Sequence, residues 1–499
     1  AWMPGDYNKG DNYIFWAGEL KEKEEREIII SPAKGIMKKE IEKVCQSAEA
    51  LCWTEDEIKE FNRTHNSPFG EDYAQGEDNL LVSKNIFLSW NDSMARRRSD
   101  ILVLGSAASG KTSCVILPNL MHASGSYVVA DPSGELLKRS RAALRQKGYA
   151  IRVLDFANPA ASDGYNPLLY SVDAEDTLNL TRCLLENTEP GNKVNDPFWE
   201  KSETALFNAV FAFLVRRRQG EKCTLHEAHR LVSIAAERGG EFDALFEEAR
   251  KRKPNDPAVL SYDVFRLVPE KTAKAVCASA AERLAAFNGK PLEDISYCDT
   301  IALDELGDAK TALFLTGFHA AEKQKVLIPM LIAQLFNTLV YHAAFEYDEG
   351  ELKEHVTLLL DEFPNIGYVP ELSSRLACGT AWISVVMAAQ SVEQIKRLYH
   401  KQTETILASC EAVVYMGGSC QAADENTRNW IKNKLGSATI TETESQSSDP
   451  EEENARTAHE SAPKLVLQEG ICQIPDDMCL VCMKGMPATL DEKFCGYLE

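Results

Sequence analysis

The sequence is short of positive charge: 54 Lys and Arg face 76 Asp and Glu, a formal net charge of −22. So acidic a surface repels phosphate backbones on average, which excludes a protein coated with nucleic acid and confines any such contact to a local channel or patch. Long apolar runs are also scarce. The one long uncharged run, "VLIPMLIAQLFNTLVYHAAF" from Val326 to Phe345, carries Pro329, Gln334, Asn337 and His342, and is expected to be a buried core helix. No secretory signal is visible at the front. The 14 cysteines lack regular spacing, which excludes a disulfide framework and suits reduced thiols in the cytosol. Cys479 and Cys482 form a C-x-x-C near Cys472, but no second close pair completes a zinc site, and "MCLVCM" reads as strand core. In "HEAHR" the histidines, His226 and His229, stand three apart rather than the four of a zinc protease, and read as polar helix positions. No internal repeat is found.

What is present is the composition of a folded chain. Its 499 residues suggest roughly three domains, with 44% apolar and 26% charged residues. Residues 1–79 are polar and mixed, with charged patches such as "GELKEKEEREI" that read as helical; they form an expected peripheral region. From Leu80 short β-rich runs follow one another: "NLLVSKNIFLSW", "DILVLG", "SYVVAD" and "AIRVLDF". Helical stretches separate the later ones, the βαβ rhythm of a parallel sheet. Over 172–288 the strand signals vanish and helical periodicity dominates, as in "DPFWEKSETALFNAVFAFLVRRR". Strand-like runs return over 289–499 with "TALFLTG", "VTLLLDEF", "WISVVMAAQS", "EAVVYMGG" and "DMCLVCMKG". Within that part, 439–463 is acidic and poor in apolar residues, an expected flexible surface loop. The fold class is therefore α/β: a nucleotide-binding domain in two parts, 80–171 and 289–499, interrupted by an inserted all-α domain.

The strand "ILVL" runs directly into Gly105-Ser106-Ala107-Ala108-Ser109-Gly110-Lys111-Thr112-Ser113. This fits G-x-x-x-x-G-K-[ST] in the strand-to-helix setting the pattern requires, so these nine residues are the expected cradle of ATP. Gly105 and Gly110 permit tight turns that aim consecutive N–H groups at phosphate, helped by the positive helix end. Lys111 is expected to reach the β- and γ-phosphates, and Thr112 to hold Mg²⁺. Pro118 is expected to kink or end the following helix.

The apolar strand in "HVTLLLDEF" ends at two adjacent acids. Asp361 is expected to bind Mg²⁺ through water. Glu362, one residue on and on the other side of the pleat, is expected to polarise the attacking water. Gln390 ends the next strand, where a neutral amide can bond the γ-phosphate and report its loss.

Several separated pieces now carry a resemblance: "GSAASGKTSCVILPNL", "SYVVADPSGELLK", "YAIRVLDFANPAASDGYNPL", "DPFWEKSETALF", "CASAAERLAAF", "LLLDEFPNIGYVPEL" and "AAQSVEQIKRLY". From about Leu80 to Tyr497 the chain resembles the coupling proteins of conjugation and type IV secretion, the TraG-like family of membrane-tethered ATPases. The resemblance implies a RecA-like motor domain with an all-α insertion, assembled as a homo-hexamer around a channel. It implies a substrate of single-stranded DNA with an attached relaxase, delivered to a secretion channel at the cytoplasmic face of the bacterial cell membrane. Family members carry N-terminal transmembrane helices. This chain opens with "AWMPGDYNKGDN" and is expected to be the soluble part beyond such an anchor.

Two positions depart from the family. Ser133 in "DPSGE" replaces the usual Lys, and "ACGTAWIS" (Ala377 to Ser384) lacks the usual Arg, the best candidate for a finger reaching the neighbouring subunit's nucleotide. Arg375 and Arg397 are the possible substitutes. The loss opens a second reading, a nucleotide-regulated docking platform for secreted substrates with little motor activity. A double-stranded DNA pump fits less well, because "SDGYNPL" and the helical insertion match the coupling proteins. The basic runs Arg96–Arg98, Arg216–Arg218 and Lys251–Lys253 read as solvated helix or loop ends rather than DNA contacts.

Overall fold

The computed structural model describes residues 14–19, 25–30, 55–65, 78–90, 99–188, 197–216, 223–320, 326–347, 350–379, 382–417, 425–435, 474–486 and 488–496. The acidic loop 439–463, Cys472 and the Arg96–Arg98 run lie outside these described residues. Four strands make two antiparallel hairpins: β1 (Ile14–Glu19) with β2 (Glu25–Ile30), and β3 (Asn79–Leu81) with β4 (Phe87–Ser89). Next come β5 (Ile101–Leu104), β6 (Ser126–Asp131), β7 (Ala150–Asp155), β8 (Thr311–Thr316) and β9 (Val356–Leu360). The last four are β10 (Ile383–Ala389), β11 (Ala412–Tyr415), β12 (Met478–Met483) and β13 (Thr489–Glu492).

The first hairpin corrects an expectation. "GELKEKEEREI" reads as helical, yet its ends belong to β1 and β2, with Ile14 opposite Ile30 and Trp16 opposite Ile28. Aromatic and β-branched residues at both ends favour strand pairing over the helical propensity of the Lys/Glu run between them.

The chain divides into two compact units, 1–124 with 384–499, and 125–383. In the first, the sheet order is β13-β12-β11-β5-β10. β5 runs parallel to both β10 and β11, while β12 and β13 are antiparallel. All four β5 residues are fully buried, as expected for an Ile-Leu-Val-Leu run covered on both faces. In the second unit, β9-β6-β8-β7 pair in parallel throughout.

Between β7 and β8 every regular element among the described residues is helical, from Ala174–Asn187 to Lys290–Tyr297. The family-specific pieces turn out to be its fastenings. Glu203, from "DPFWEKSETALF", is 1% exposed and meets Arg283, from "CASAAERLAAF", at 3.0 Å. Arg283 also donates to the Leu185 carbonyl at 2.9 Å. Removing one partner strands a buried charge, so Arg283→Met is expected to cost about 3–5 kcal/mol, read as an earlier urea midpoint. Pairing it with Glu203→Leu should recover most of that loss; a double variant as unstable as the single contradicts the ion pair's role.

"SDGYNPL" ties the insertion to the second unit's strands. Asp163 accepts from Val153 N–H at 2.7 Å, on β7. Tyr165 donates its hydroxyl to Gln334 at 2.5 Å, and Asn166 donates to the Cys223 carbonyl at 2.7 Å. Gln334 sits on the helix Leu327–Glu346, which is long and apolar enough to cross a membrane by composition, but most of its apolar window is buried in this unit. Its core reading holds. Arg216 closes an ion pair with Asp256 at 2.8 Å, and Lys251 and Arg252 fall in the last turn of the helix Glu241–Arg252, where cations complement the helix dipole.

Candidate functional site

The phosphate loop belongs to the first unit, at the carboxyl end of β5. Leu104 is flanked by Tyr415 of β11 and Ala389 of β10. The Gly105 N–H donates to the Ala389 carbonyl and the Ser106 N–H to that of Gly417, both at 3.3 Å. Gly105 is needed for space rather than for an unusual φ. A Cβ there would meet the Ser109 hydroxyl at 2.4 Å and the Met416 Cβ at 2.9 Å. Gly110 is needed for conformation, with φ at +95°. Ala108, at φ +59°, holds the same left-handed region with a methyl group, a strain of the kind that collects at ligand loops.

Within the loop, the Lys111 ammonium donates to the carbonyls of Gly105 at 2.9 Å and Ser106 at 2.8 Å. The charge is thus held over the loop by its own backbone. Among the described residues the buried Ser109 hydroxyl has no hydrogen-bond partner. Thr112 opens the helix, and Ser113 lies beside it with its hydroxyl 3.5 Å from the Gly110 carbonyl.

The helix differs from expectation. Thr112–Ile116 is a π turn, in which Leu117 N–H reaches back to the Thr112 carbonyl, and Leu117–His122 continues as α-helix past Pro118. The irregularity precedes the proline, which sits in the first turn of the α segment where a missing N–H costs little. Asn119 then donates its amide to the carbonyls of Val115 and Leu81, both at 2.9 Å, and accepts from Leu81 N–H at 2.8 Å. That side chain fastens the β3–β4 hairpin to the phosphate-loop helix.

Gln390 stands one residue beyond Ala389, on the strand beside β5, and its side chain is exposed. Its N–H donates to the Gln394 side chain at 3.1 Å. Its neighbour Ser391 caps the helix Val392–Tyr399. The sequence thus places Gln390 correctly at a strand end adjoining the loop.

Asp361 and Glu362 follow β9 in the second unit. Asp361 is buried at the carboxyl end of the strand. Glu362 has left the pleat: its φ of +50° is left-handed, and it starts the 3₁₀ turn Phe363–Ile366. The expectation of a residue on the opposite face of a strand is therefore corrected. The cause lies in the next residues, where Pro364 at the start of the turn and the Asn365 N–H bonded to the Glu362 carbonyl at 2.7 Å close the chain sharply. The Asn365 amide donates to the Glu362 carboxylate at 2.9 Å, and His319 lies 4.0 Å from the same oxygen. Asn365 lies inside "LLLDEFPNIGYVPEL" without a role read for it there, and no motif signals His319.

Both departures from the family have a physical setting. Ser133 is exposed, and its hydroxyl accepts weakly from Glu135 N–H at 3.4 Å at a helix start. Within "DPSGE" the helix start is held by Asp131, whose carboxylate accepts Leu137 N–H at 2.8 Å. Burial raises the Asp131 carboxyl above its usual range against those backbone bonds. Arg375 is 19% exposed, pairs with Asn337 and Glu371, and lies over the Phe336 ring. Arg397, by contrast, is 78% exposed, with only a 3.9 Å approach to Glu393. Cys479 and Cys482 share β12, and burial pushes the Cys482 thiol up to about 12, away from the thiolate range.

Each unit carries a hard oxygen donor of the kind Mg²⁺ prefers, the Thr112 hydroxyl in the first and the Asp361 carboxylate in the second. The loop's anatomy suits a polyphosphate: a positive helix start, one glycine required for space and another for its backbone conformation, a poised lysine and an unpaired hydroxyl.

A family model for type IV secretory system conjugative DNA transfer matches residues 38–498. No match was found among curated proteins. Among solved structures, the bacterial conjugative coupling protein TrwBdeltaN70 in its trigonal form with sulphate is 18% identical, with a TM-score of 0.60, over 89% of this chain and 93% of that one. The plasmid coupling protein TrwB with the non-hydrolysable GTP analogue GDPNP is 17% identical, with a TM-score of 0.61, over 89% and 93%. TrwB with ADP and Mg²⁺ is 18% identical, with a TM-score of 0.60, over 89% and 92%. At such identities the likeness establishes the fold, a RecA-like α/β domain with a mostly parallel sheet.

Proposed function

Since this chain belongs to the type IV secretory system conjugative DNA transfer family, we propose that it is an ATP-hydrolysing coupling protein. It recruits a relaxase–single-stranded DNA complex and drives or gates its passage into a secretion channel. The observation that carries this reading is the phosphate loop: Lys111 held on two loop carbonyls, with an unpaired, buried Ser109 hydroxyl beside it. TrwB, which shares the fold, is known in complexes with GDPNP, with ADP and Mg²⁺, and with ADPNP.

In this reading residues Gly105 to Ser113 wrap the ATP phosphates through their N–H groups. Lys111 moves from the loop carbonyls to the terminal phosphates. Thr112 and Asp361 hold Mg²⁺, which when bound neutralises charge on the β- and γ-phosphates. Glu362, aimed by Asn365, orients the attacking water and takes its proton. Gln390 senses the γ-phosphate. The active form is a homo-hexamer at the cytoplasmic face of the bacterial membrane, with an N-terminal anchor, the relaxase and the secretion channel as partners. Single-stranded DNA runs through a local basic channel, which suits an exterior carrying a net charge of −22.

One observation favours the second reading, a nucleotide-regulated docking platform: Arg375 is tied down by Asn337 and Glu371. Of the two candidate fingers, Arg397 is the one exposed, on the helix Val392–Tyr399. The test is ATP turnover with and without single-stranded DNA, with Lys111→Ala as control. Several-fold stimulation by the single strand is the motor's expected result. Flat, near-zero turnover with retained ATP binding supports the platform instead.

A further inference from the structure

The C-terminal strand β13 was not legible in the sequence, and the residue that follows it reaches the phosphate loop. The Lys493 N–H donates to the Asp477 carbonyl at 2.7 Å, fixing the backbone beside β12. Its side chain then turns inward: Lys493 is 7% exposed, and its ammonium donates to the Ser109 carbonyl at 3.0 Å. Among the described residues no carboxylate lies within ion-pairing distance of it. Burial accordingly holds its pKa below the usual lysine value. An ammonium buried with no carboxylate in contact is costly, and proteins tolerate such a cost mainly where the charge has a task. Here the charge faces the loop expected to receive an anion.

We propose that Lys493 is a positioning residue of the nucleotide site, acting as an outer brace on the phosphate loop. The proposal rests on the reading of Gly105–Ser113 as an ATP cradle. The Ser109–Gly110 peptide is trans, so its C=O and N–H point in opposite directions. Lys493 holds the carbonyl on one side and thereby turns the Gly110 N–H to the other. Gly110, at φ +95° and without a Cβ, restricts rotation of that peptide less than any other residue would, so a brace on it has an effect. Lys111 works from within the loop and Lys493 from outside it, and the two ammonium groups grip different carbonyls. The same segment touches the loop's helix a second time, where Cys495 Sγ lies 3.8 Å from Cys114 Sγ. The contact is therefore a two-point clasp on the loop and its helix.

The test is titration of the whole chain with a fluorescent N-methylanthraniloyl ATP and Mg²⁺, comparing wild type, Lys493→Met, Lys493→Arg and Lys111→Ala, each also melted without nucleotide. The expected result is a roughly tenfold weaker Kd for Lys493→Met, substantial recovery in Lys493→Arg, and a nucleotide-free melting temperature close to wild type. An unchanged Kd in Lys493→Met overturns the brace while leaving the nucleotide reading intact. A loss of affinity matched by an equal loss of stability, with no recovery in Lys493→Arg, also overturns it. Absence of binding in the wild type defeats the nucleotide reading itself and the brace with it. A second measurement needs no variant: ADPNP with Mg²⁺ should slow alkylation of exposed Cys495 by iodoacetamide several-fold. An alkylation rate indifferent to ADPNP counts against the clasp.

Discussion

Lys111→Ala should lower ATP turnover by about 10²–10³-fold, the usual consequence of removing one preorganised charged donor from a developing anion. The ground for this expectation is the resting position of the side chain. Its ammonium is already inside the loop, on the Gly105 and Ser106 carbonyls, so reaching phosphate requires rotation of one side chain rather than rearrangement of the loop. Stability should fall by no more than about 1–3 kcal/mol, the cost of leaving the buried Gly105 carbonyl without its donor. Steady-state turnover, with a melting curve as the folding control, checks both halves. Wild-type turnover in the variant removes Lys111 from the chemistry.

Glu362→Gln should cost about 10²–10⁴-fold in turnover while nucleotide binding stays within a few-fold of wild type, because only the proton acceptor is lost. The amide keeps an oxygen for Asn365, so the side chain remains aimed. Glu362→Gly separates the chemical role from the backbone's. A left-handed φ costs a side-chain-bearing residue about 1–2 kcal/mol, while glycine adds about 0.5–1 kcal/mol of unfolded-chain entropy. With φ at +50°, the glycine variant should therefore melt no lower than wild type although it hydrolyses nothing. A fall of several degrees would show that Glu362 is held there by contacts rather than retained against strain.

Much of the fold is legible because buried parallel strands are written as unbroken apolar runs. "ILVL", "TALFLT" and "VTLLL" each become a fully buried strand. β13 was invisible for the opposite reason: "TLDE" is short, alternates buried with half-buried positions, and lies at a sheet edge. The hairpin β1–β2 was misread because a Lys/Glu run signals helix locally and says nothing of the distant pairing of Ile14 with Ile30.

At the site, the loop is legible because its chemistry is contiguous. Gly105, Gly110, Lys111 and Thr112 meet through neighbouring backbone. The residue brought in from afar left no local signal: Lys493 sits in an unremarkable "DEKF". Glu362 was found, but its conformation was not. A strand-end acid reads the same whether it stays in the pleat or turns out of it, and the decision belongs to the Phe363–Ile366 turn. Arg375 shows the converse limit. Its charge suggested a free finger, while the Asn337 and Glu371 side chains that engage it lie on other parts of the chain or a turn away.

The central claim is that the loop from Gly105 to Ser113 grips a nucleoside triphosphate through Lys111. Its most direct measurement is a crystal or cryo-EM structure of the whole chain with ADPNP and Mg²⁺. The expected result is Lys111 released from the Gly105 and Ser106 carbonyls and bonded to the terminal phosphates, with density for a metal at Thr112. A map with the analogue at saturating concentration, Lys111 still on those two carbonyls and the loop empty, would contradict it.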